Sequence, residues 1–267
     1  MFLAGAECPF TCSFCDLWRY TLDGPTPVGA LPIQLARALR EIEPPLPTRL
    51  KLYNASNFFD RRAVPQQDLP RLAELSRPFP AITVESHAST IGPMTLEFRT
   101  LLIGRLEVAM GLETIHPIAV EQLNKRLELF RFDGAADFLA LHRIDLRAFV
   151  LLGVPYVPAG EMVEWTVRAV EHAAARGAGR IAIIPVRGGN GELERLEALG
   201  DFTPPTLVQL ETVLEHCLSC AAVVTADLWD VARLRGCEAC RGQRVKRLEL
   251  MNLTGRAAPF VTCAVCA

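Results

Sequence analysis

Six apolar runs of strand length alternate with apolar-striped runs of helix length along this 267-residue chain, and no other feature limits its fold as tightly. The runs predict strands at 2–6, 49–53, 81–85, 106–112, 146–152 and 180–185. Helices are expected at 31–42, 66–75, 94–102, 118–127, 135–141 and 162–175. The first of these has Pro32 in its opening turn and Pro44-Pro45 as its stop. About six β-α units in register imply parallel strands joined by helical crossovers. A partial (β/α) barrel and a doubly wound open sheet both satisfy the pattern, and no internal repeat argues for a solenoid. From Phe202 the composition changes. Thr203-Pro204-Pro205 introduces a helix striped by Leu207, Leu210, Leu214 and Cys217, then an apolar strand at 222–226 and a cysteine- and arginine-rich tail. The expected organisation is a core domain at 1–202 and a small appendage at 203–267.

In parallel α/β folds, functional groups gather at the C-terminal ends of strands. The first predicted strand leads into Cys8, Cys12 and Cys15, a C-x3-C-x2-C run within one loop. Close thiolates of this kind wrap the irons of a cubane cluster. Four irons normally take four thiolates, yet the next cysteine is Cys217, so the cluster would keep one iron open for a ligand. A three-cysteine zinc site or a set of redox thiols is the alternative. The other strand ends are polar: Asn54-Ala55-Ser56-Asn57, Glu85-Ser86-His87, Gly111-Leu112-Glu113-Thr114 and Arg187-Gly188-Gly189-Asn190-Gly191. The glycine-rich run lacks the Lys-Ser/Thr of a P-loop, so it either lets backbone approach a ligand or turns the chain. Arg147 and Arg187 lie near the same mouth, where an arginine also serves as an ion-pair partner inside a barrel.

With Phe14 just before its last cysteine, this motif resembles that of the radical SAM superfamily. The runs K-L-Y-N-A-S-N-F-F-D, G-L-E-T, L-N-K-R and D-L-W-D resemble the branch holding Elongator-type and archaeosine-biosynthesis proteins. The resemblance implies a partial (β/α)6 barrel and a [4Fe–4S] cluster on Cys8, Cys12 and Cys15. Its open iron would chelate S-adenosylmethionine, and reductive cleavage would give a 5′-deoxyadenosyl radical that takes a substrate hydrogen. It also implies an electron donor such as a flavodoxin or ferredoxin. Phe14, Asn54, Ser56, Glu85 and Glu113 are the implied cofactor contacts. Asn54 and Ser56 would lie near the methionine amino group, where many superfamily members carry Gly-Gly-Glu. Glu85 and Glu113 would face the ribose or amino group, or else cap helices and pair with basic residues.

The tail carries Cys237-Glu238-Ala239-Cys240 and Cys263-Ala264-Val265-Cys266, paired C-x2-C knuckles suited to tetrahedral thiolate zinc. An auxiliary iron–sulfur cluster is the rival. Cys217 and Cys220 read as core. Arg233, Arg235, Arg241, Arg244, Lys246, Arg247 and Arg256 surround the knuckles. They fit either a phosphate-gripping face for tRNA or a solvated basic surface.

Hydrophobic residues make up 50% of the chain and its formal charge is −2, which excludes a disordered chain or a global polyanion binder. The start of the chain lacks the basic and apolar regions of a signal peptide, although the first strand begins so close to Met1 that residues upstream are conceivable. No apolar run is long enough to span a bilayer. All nine cysteines fall in metal-like groups, which places the chain in a reducing, cytoplasmic compartment. The expected function is radical SAM chemistry, with tRNA or nucleoside modification first and a small metabolite second. A non-catalytic iron–sulfur or zinc carrier or docking protein is the alternative class.

Overall fold

The computed structural model describes residues 1–43 and 49–266. The expected Pro44-Pro45 helix stop lies outside them. Seven strands, β1 (Phe2–Leu3), β2 (Arg49–Asn54), β3 (Ala81–Glu85), β4 (Arg105–Glu113), β5 (Asp145–Leu152), β6 (Ala178–Pro185) and β7 (Val223–Ala226), follow one another in chain order across one sheet. Strands β1 to β4 pair in parallel, as do β6 and β7. Between them run α1 (Ala30–Leu39), α2 (Leu69–Leu75), α3 (Pro93–Leu101), α4 (Pro117–Gln122), α5 (Leu129–Leu141), α6 (Met162–Ala175), α7 (Glu192–Leu199) and α8 (Leu207–Cys217). A final helix, α9 (Arg241–Thr254), follows β7. An open, parallel sheet in sequence order is the topology of a partial (β/α) barrel. The sequence placed the 222–226 strand in an appendage; β7 instead pairs with β6, Arg180 opposite Val223.

The chain forms two compact units. The first comprises Met1–Thr11, Cys15–Gly111 and Phe130–Arg147; the second comprises Cys12–Phe14, Leu112–Leu129 and Ala148–Ala267. In the first, Phe58, Phe59 and Phe98 form an aromatic centre with ring centroids 4.9–6.5 Å apart. A polar layer lies on its strands. Glu107 on β4 is 1% exposed and accepts from Thr83 Oγ1 on β3 at 2.8 Å. Arg49 on β2 and Arg147 on β5 pair with the same carboxylate at 3.1 and 3.0 Å. Burial works against the charged carboxylate. The Arg147 guanidinium and the Thr83 hydrogen bond outweigh it, holding the Glu107 carboxyl below the usual range.

Strand β1 is shorter than expected because its neighbours bond elsewhere. The Ala4 N–H donates to Gln34 Oε1 at 2.8 Å, and the Ala6 N–H donates to Thr26 Oγ1 at 2.8 Å. Helix α1 stops three residues early because its end tightens: Arg40, Glu41 and Ile42 each donate to the carbonyl three residues back.

In the second unit, Ala119, Leu123, Leu151, Val154, Val157, Val186, Leu193, Leu196 and Phe202 form one buried cluster. Helix α7 packs Leu193 and Leu196 there, although its acidic surface hid it from the periodicity. Gly153 closes β5 at φ 82°, and a Cβ there would come 2.6 Å from Pro205 Cδ, so the close approach requires glycine. Thr206 opens α8 with a reciprocal cap: its Oγ1 accepts from the Gln209 N–H, and Gln209 Oε1 accepts from the Thr206 N–H. Cys217 ends the apolar stripe of α8, buried, and burial pushes its thiol up to about 12.

Two outcomes follow. Replacing Glu107 with Ala leaves two half-buried guanidinium groups without their shared carboxylate and should cost about 3 kcal/mol in chemical denaturation. Removing the exposed Arg71–Glu74 pair should cost less than about 1 kcal/mol. Because the folded carboxyl sits below its usual range, the Glu107 contribution should be complete at neutral pH and vanish on acidification below that range. Cys217 should react with an alkylating agent at pH 8 roughly a hundred- to a thousand-fold more slowly than an ordinary thiol, recovering on unfolding.

Candidate functional site

In the first unit the sheet delivers a polar group at the ends of β1, β2 and β3. Leu3 of β1 lies opposite Asn54, so the cysteine loop leaves the sheet beside the end of β2. Asn57 is buried, and its amide is used at both ends. Nδ2 donates to Cys8 Sγ at 3.3 Å, while Oδ1 accepts from the His87 N–H at 2.7 Å. The His87 ring stacks on Phe10 with centroids 4.0 Å apart, and its Nδ1 accepts from the Ser89 N–H at 3.1 Å, capping the turn after β3. A thiolate accepts such a bond better than a thiol does. Cys8, Cys12 and Cys15 are all half-buried thiols.

Asn54 and Ser56 differ from Asn57. Both are buried, and Asn54 Nδ2, Asn54 Oδ1 and Ser56 Oγ have no hydrogen-bond partner among the described residues. Unsatisfied buried polar atoms are rare because each costs about 1–3 kcal/mol. Glu85 ends β3 half-buried, and its carbonyl accepts from the Phe58 N–H at 2.8 Å.

The second unit holds the loop segment Cys12–Phe14 at several points. The Ser13 N–H donates to the Leu123 carbonyl at 3.0 Å, and Asn190 Nδ2 donates to the Ser13 carbonyl at 2.8 Å. The Phe14 ring packs on the apolar cluster of Leu123 and Leu193, so it anchors the loop. At the end of β4, Glu113 is buried and pairs with Lys125 Nζ at 2.6 Å. Glu113, Asn124 and Arg126 all have left-handed backbones, with φ of 64°, 54° and 55°. Non-glycine residues pay for that conformation, and such strain concentrates at functional positions. The G-L-E-T and L-N-K-R runs thus meet through one ion pair. Helix α4 ends at Gln122 rather than continuing to 127, because residues 124–126 turn to deliver that lysine.

The glycine-rich run at 188–191 closes on its own helix: the Gly189 and Gly191 N–H groups donate to the Glu194 carboxylate at 2.5 and 2.7 Å. Arg187 on the β6 exit pairs with Asp227 of D-L-W-D at 3.1 Å, and Arg147 is the Glu107 partner described above. His116, like His87, is a helix cap the sequence did not disclose: its Nδ1 accepts from the Ala119 N–H at 3.2 Å. The signal was only H-P-I-A, a histidine before proline at a helix start.

In the tail, Cys237, Cys240, Cys263 and Cys266 place their Sγ atoms within 4.8 Å of one another. Backbone N–H groups of Val265 and Cys266 lower the Cys263 thiol, while the neighbouring sulfurs, Cys240 first, raise Cys266. Four thiols this close cannot all ionise without a cation, and metal binding supplies one. The basic residues around them are largely committed. Arg241 pairs with Glu238, Arg244 and Arg247 with the buried Glu211, Arg235 with Glu197 and Arg233 with Asp230. Of the seven basic residues named from the sequence, Arg241, Arg244 and Arg247 are half-buried or buried in these pairs, while Arg233, Arg235, Lys246 and Arg256 are exposed.

No known family profile matches the chain, and no curated protein does. Solved structures do. Elp3 from the archaeon Methanocaldococcus infernus, with residues 1–46 deleted, superposes with a TM-score of 0.61 at 14% identity, covering 83% of this chain and 59% of Elp3. Methylornithine synthase (PylB) gives 0.53 at 15% identity over 97% of this chain and 82% of its own. Streptococcus suis SuiB bound to S-adenosylmethionine gives 0.50 at 14% identity over 74% and 42%. The chain thus spans well under two thirds of Elp3 and of SuiB. Identity at this level speaks for the fold alone: the chain shares the open parallel α/β sheet of these structures, and it carries a four-cysteine group in its tail.

Proposed function

We propose that the chain is a radical SAM enzyme whose Cys8, Cys12 and Cys15 hold a [4Fe–4S] cluster, with S-adenosylmethionine at the ends of β2 and β3. When bound, the cluster supplies the electron for reductive cleavage of the cofactor, drawn from a donor of the flavodoxin or ferredoxin kind. The observation that carries this reading is the pair of buried, unpartnered side chains, Asn54 and Ser56, beside the strand that delivers the cysteine loop. An amide that offers both a donor and an acceptor suits a ligand with an ammonium and a carboxylate on one carbon, which is the methionine end of the cofactor. Asn57 holds the Cys8 sulfur, Phe14 anchors the loop, and Glu85 at the end of β3 would face the ribose. Glu113 meets Lys125, so in this reading it orients that lysine rather than binding the cofactor alone. A simple electron carrier has no use for buried side chains awaiting a ligand.

The tail, in this reading, binds one zinc ion. A single tetrahedral zinc with bonds of about 2.3 Å places its sulfurs roughly 3.8 Å apart. Cys237 and Cys263 are at 3.9 Å, Cys240 and Cys266 at 3.6 Å. A four-iron cubane, with each thiolate on a different iron, spreads them to roughly 6 Å.

The sequence resemblance makes tRNA or nucleoside modification the first expectation for the substrate. One observation favours the small-metabolite reading instead: Arg241, Arg244 and Arg247, the centre of the supposed phosphate-binding face, are occupied by Glu238, Glu211 and Glu215.

Anaerobic reconstitution tests the reading. Wild type should acquire the broad visible absorbance of an iron–sulfur cluster and release 5′-deoxyadenosine under strong reductant; Cys12→Ala should do neither. Asn54→Ala should keep the absorbance and weaken cofactor binding about 10-fold or more, since a hydrogen bond to a charged group contributes about 1.5–3 kcal/mol. Wild type with a cluster but no cofactor cleavage would refute the enzyme assignment. Unchanged binding in Asn54→Ala would remove that residue from the site.

A further inference from the structure

Helix α9 is electrostatically reversed. Its first turn holds Arg241 and Arg244 and no acid, although a helix N-terminus carries a partial positive charge that favours anions. Its N-cap is Cys240, whose side chain makes no capping bond. Arg241 is answered by Glu238; Arg244 lies against the sulfurs as well as a carboxylate. Four thiolates around a divalent ion carry a net charge of −2, and Arg244 Nε lies 3.2 Å from Cys240 Sγ. The guanidinium is fixed from behind: Nη1 donates to Glu211 Oε2 on α8 at 2.5 Å, and Glu211 is 2% exposed. The other Glu211 oxygen meets Arg247 at 3.4 Å. Arg247 donates in turn to the carbonyls of Ala258 at 2.9 Å and Pro259 at 3.0 Å, in the segment that leads to Cys263. One buried carboxylate on α8 thus organises both cysteine pairs, the first through Arg244 and the second through Arg247.

We propose that Arg244 is a positioning residue for the tail metal: it donates to the Cys240 thiolate, offsets the charge of the four-sulfur site, and with Glu211 makes metal loading depend on α8. The inference rests on the zinc reading of the tail. Partners of this kind, bonded to metal ligands, typically carry a 10- to 100-fold effect on affinity.

The test uses the full chain and zinc itself, in competition with a chromophoric chelator. Wild type should bind one zinc that is lost in Cys263→Ala. Arg244→Gln should keep one zinc per chain with affinity 10- to 100-fold weaker, and Arg244→Lys should recover part of the loss. The exposed Arg256→Gln should match wild type. Because Arg244→Gln alone leaves Glu211 undercompensated, the double variant Arg244→Met with Glu211→Gln removes both charges together, and it should show the same loss while staying folded. With cobalt in place of zinc, the sulfur-to-metal charge-transfer band should move to lower energy in Arg244→Gln, since an N–H donor stabilises the sulfur lone pair. A packing defect alone would not move that band. Affinity within about twofold of wild type, or a weakened site with an unmoved band, would overturn the role of Arg244. A wild type with no tail zinc would overturn the zinc reading with it.

Discussion

Thiolates crowded together need positive charge beside them, and seven of the nine cysteines in this chain stand in two groups that pose that demand. In the tail the answer is visible in the protein itself. Four sulfurs converge within 4.8 Å, a helix begins at one of them, and Arg244 in its first turn faces Cys240 and the buried Glu211. At the other group the Asn57 amide donates to Cys8, and the segment around Ser13 is fixed by one bond donated from Asn190 and one accepted by the Leu123 carbonyl. In the first unit β2 and β3 end in polar residues, and Glu107 draws Arg49, Thr83 and Arg147 together across the strands.

Much of this was legible in the sequence where periodicity was strong and burial decided it. The bounds of β3 and α6 coincide with the predicted ones, since each is an uninterrupted apolar pattern between clear breaks. Strand β1 came out short because Ala4 and Ala6 give their N–H groups to Gln34 and Thr26, long-range partners that no local pattern announces. Helices α7 and α9 were missed for a different reason. Their surfaces are so charged that two or three apolar positions had to carry the signal, and in α9 the inward face includes Arg247 beside Leu248 and Met251.

The candidate site was legible as chemistry and less so as geometry. Cysteine spacing picked out the candidate ligands, and the four tail sulfurs do converge. It could not show that Asn57 rather than a backbone amide would hold Cys8, nor that Glu113 would turn to Lys125 through a left-handed backbone. The arginine-rich tail shows what composition leaves out. The sequence left a phosphate-gripping face and a solvated basic surface both open, and it could not show that Arg244 and Arg247 pair with Glu211 and Glu215 on α8, distant in sequence.

The central claim is that three cysteines hold a cluster whose remaining iron takes S-adenosylmethionine. Electron paramagnetic resonance of the reduced, reconstituted protein tests it without any substrate, by comparing spectra before and after the cofactor is added. The account predicts a cluster of about four irons per three ligating cysteines, with a signal whose g-values shift on addition of the cofactor and broaden when its amino nitrogen and carboxylate oxygen carry magnetic isotopes. A cluster signal that stays unchanged in the presence of saturating cofactor would contradict it.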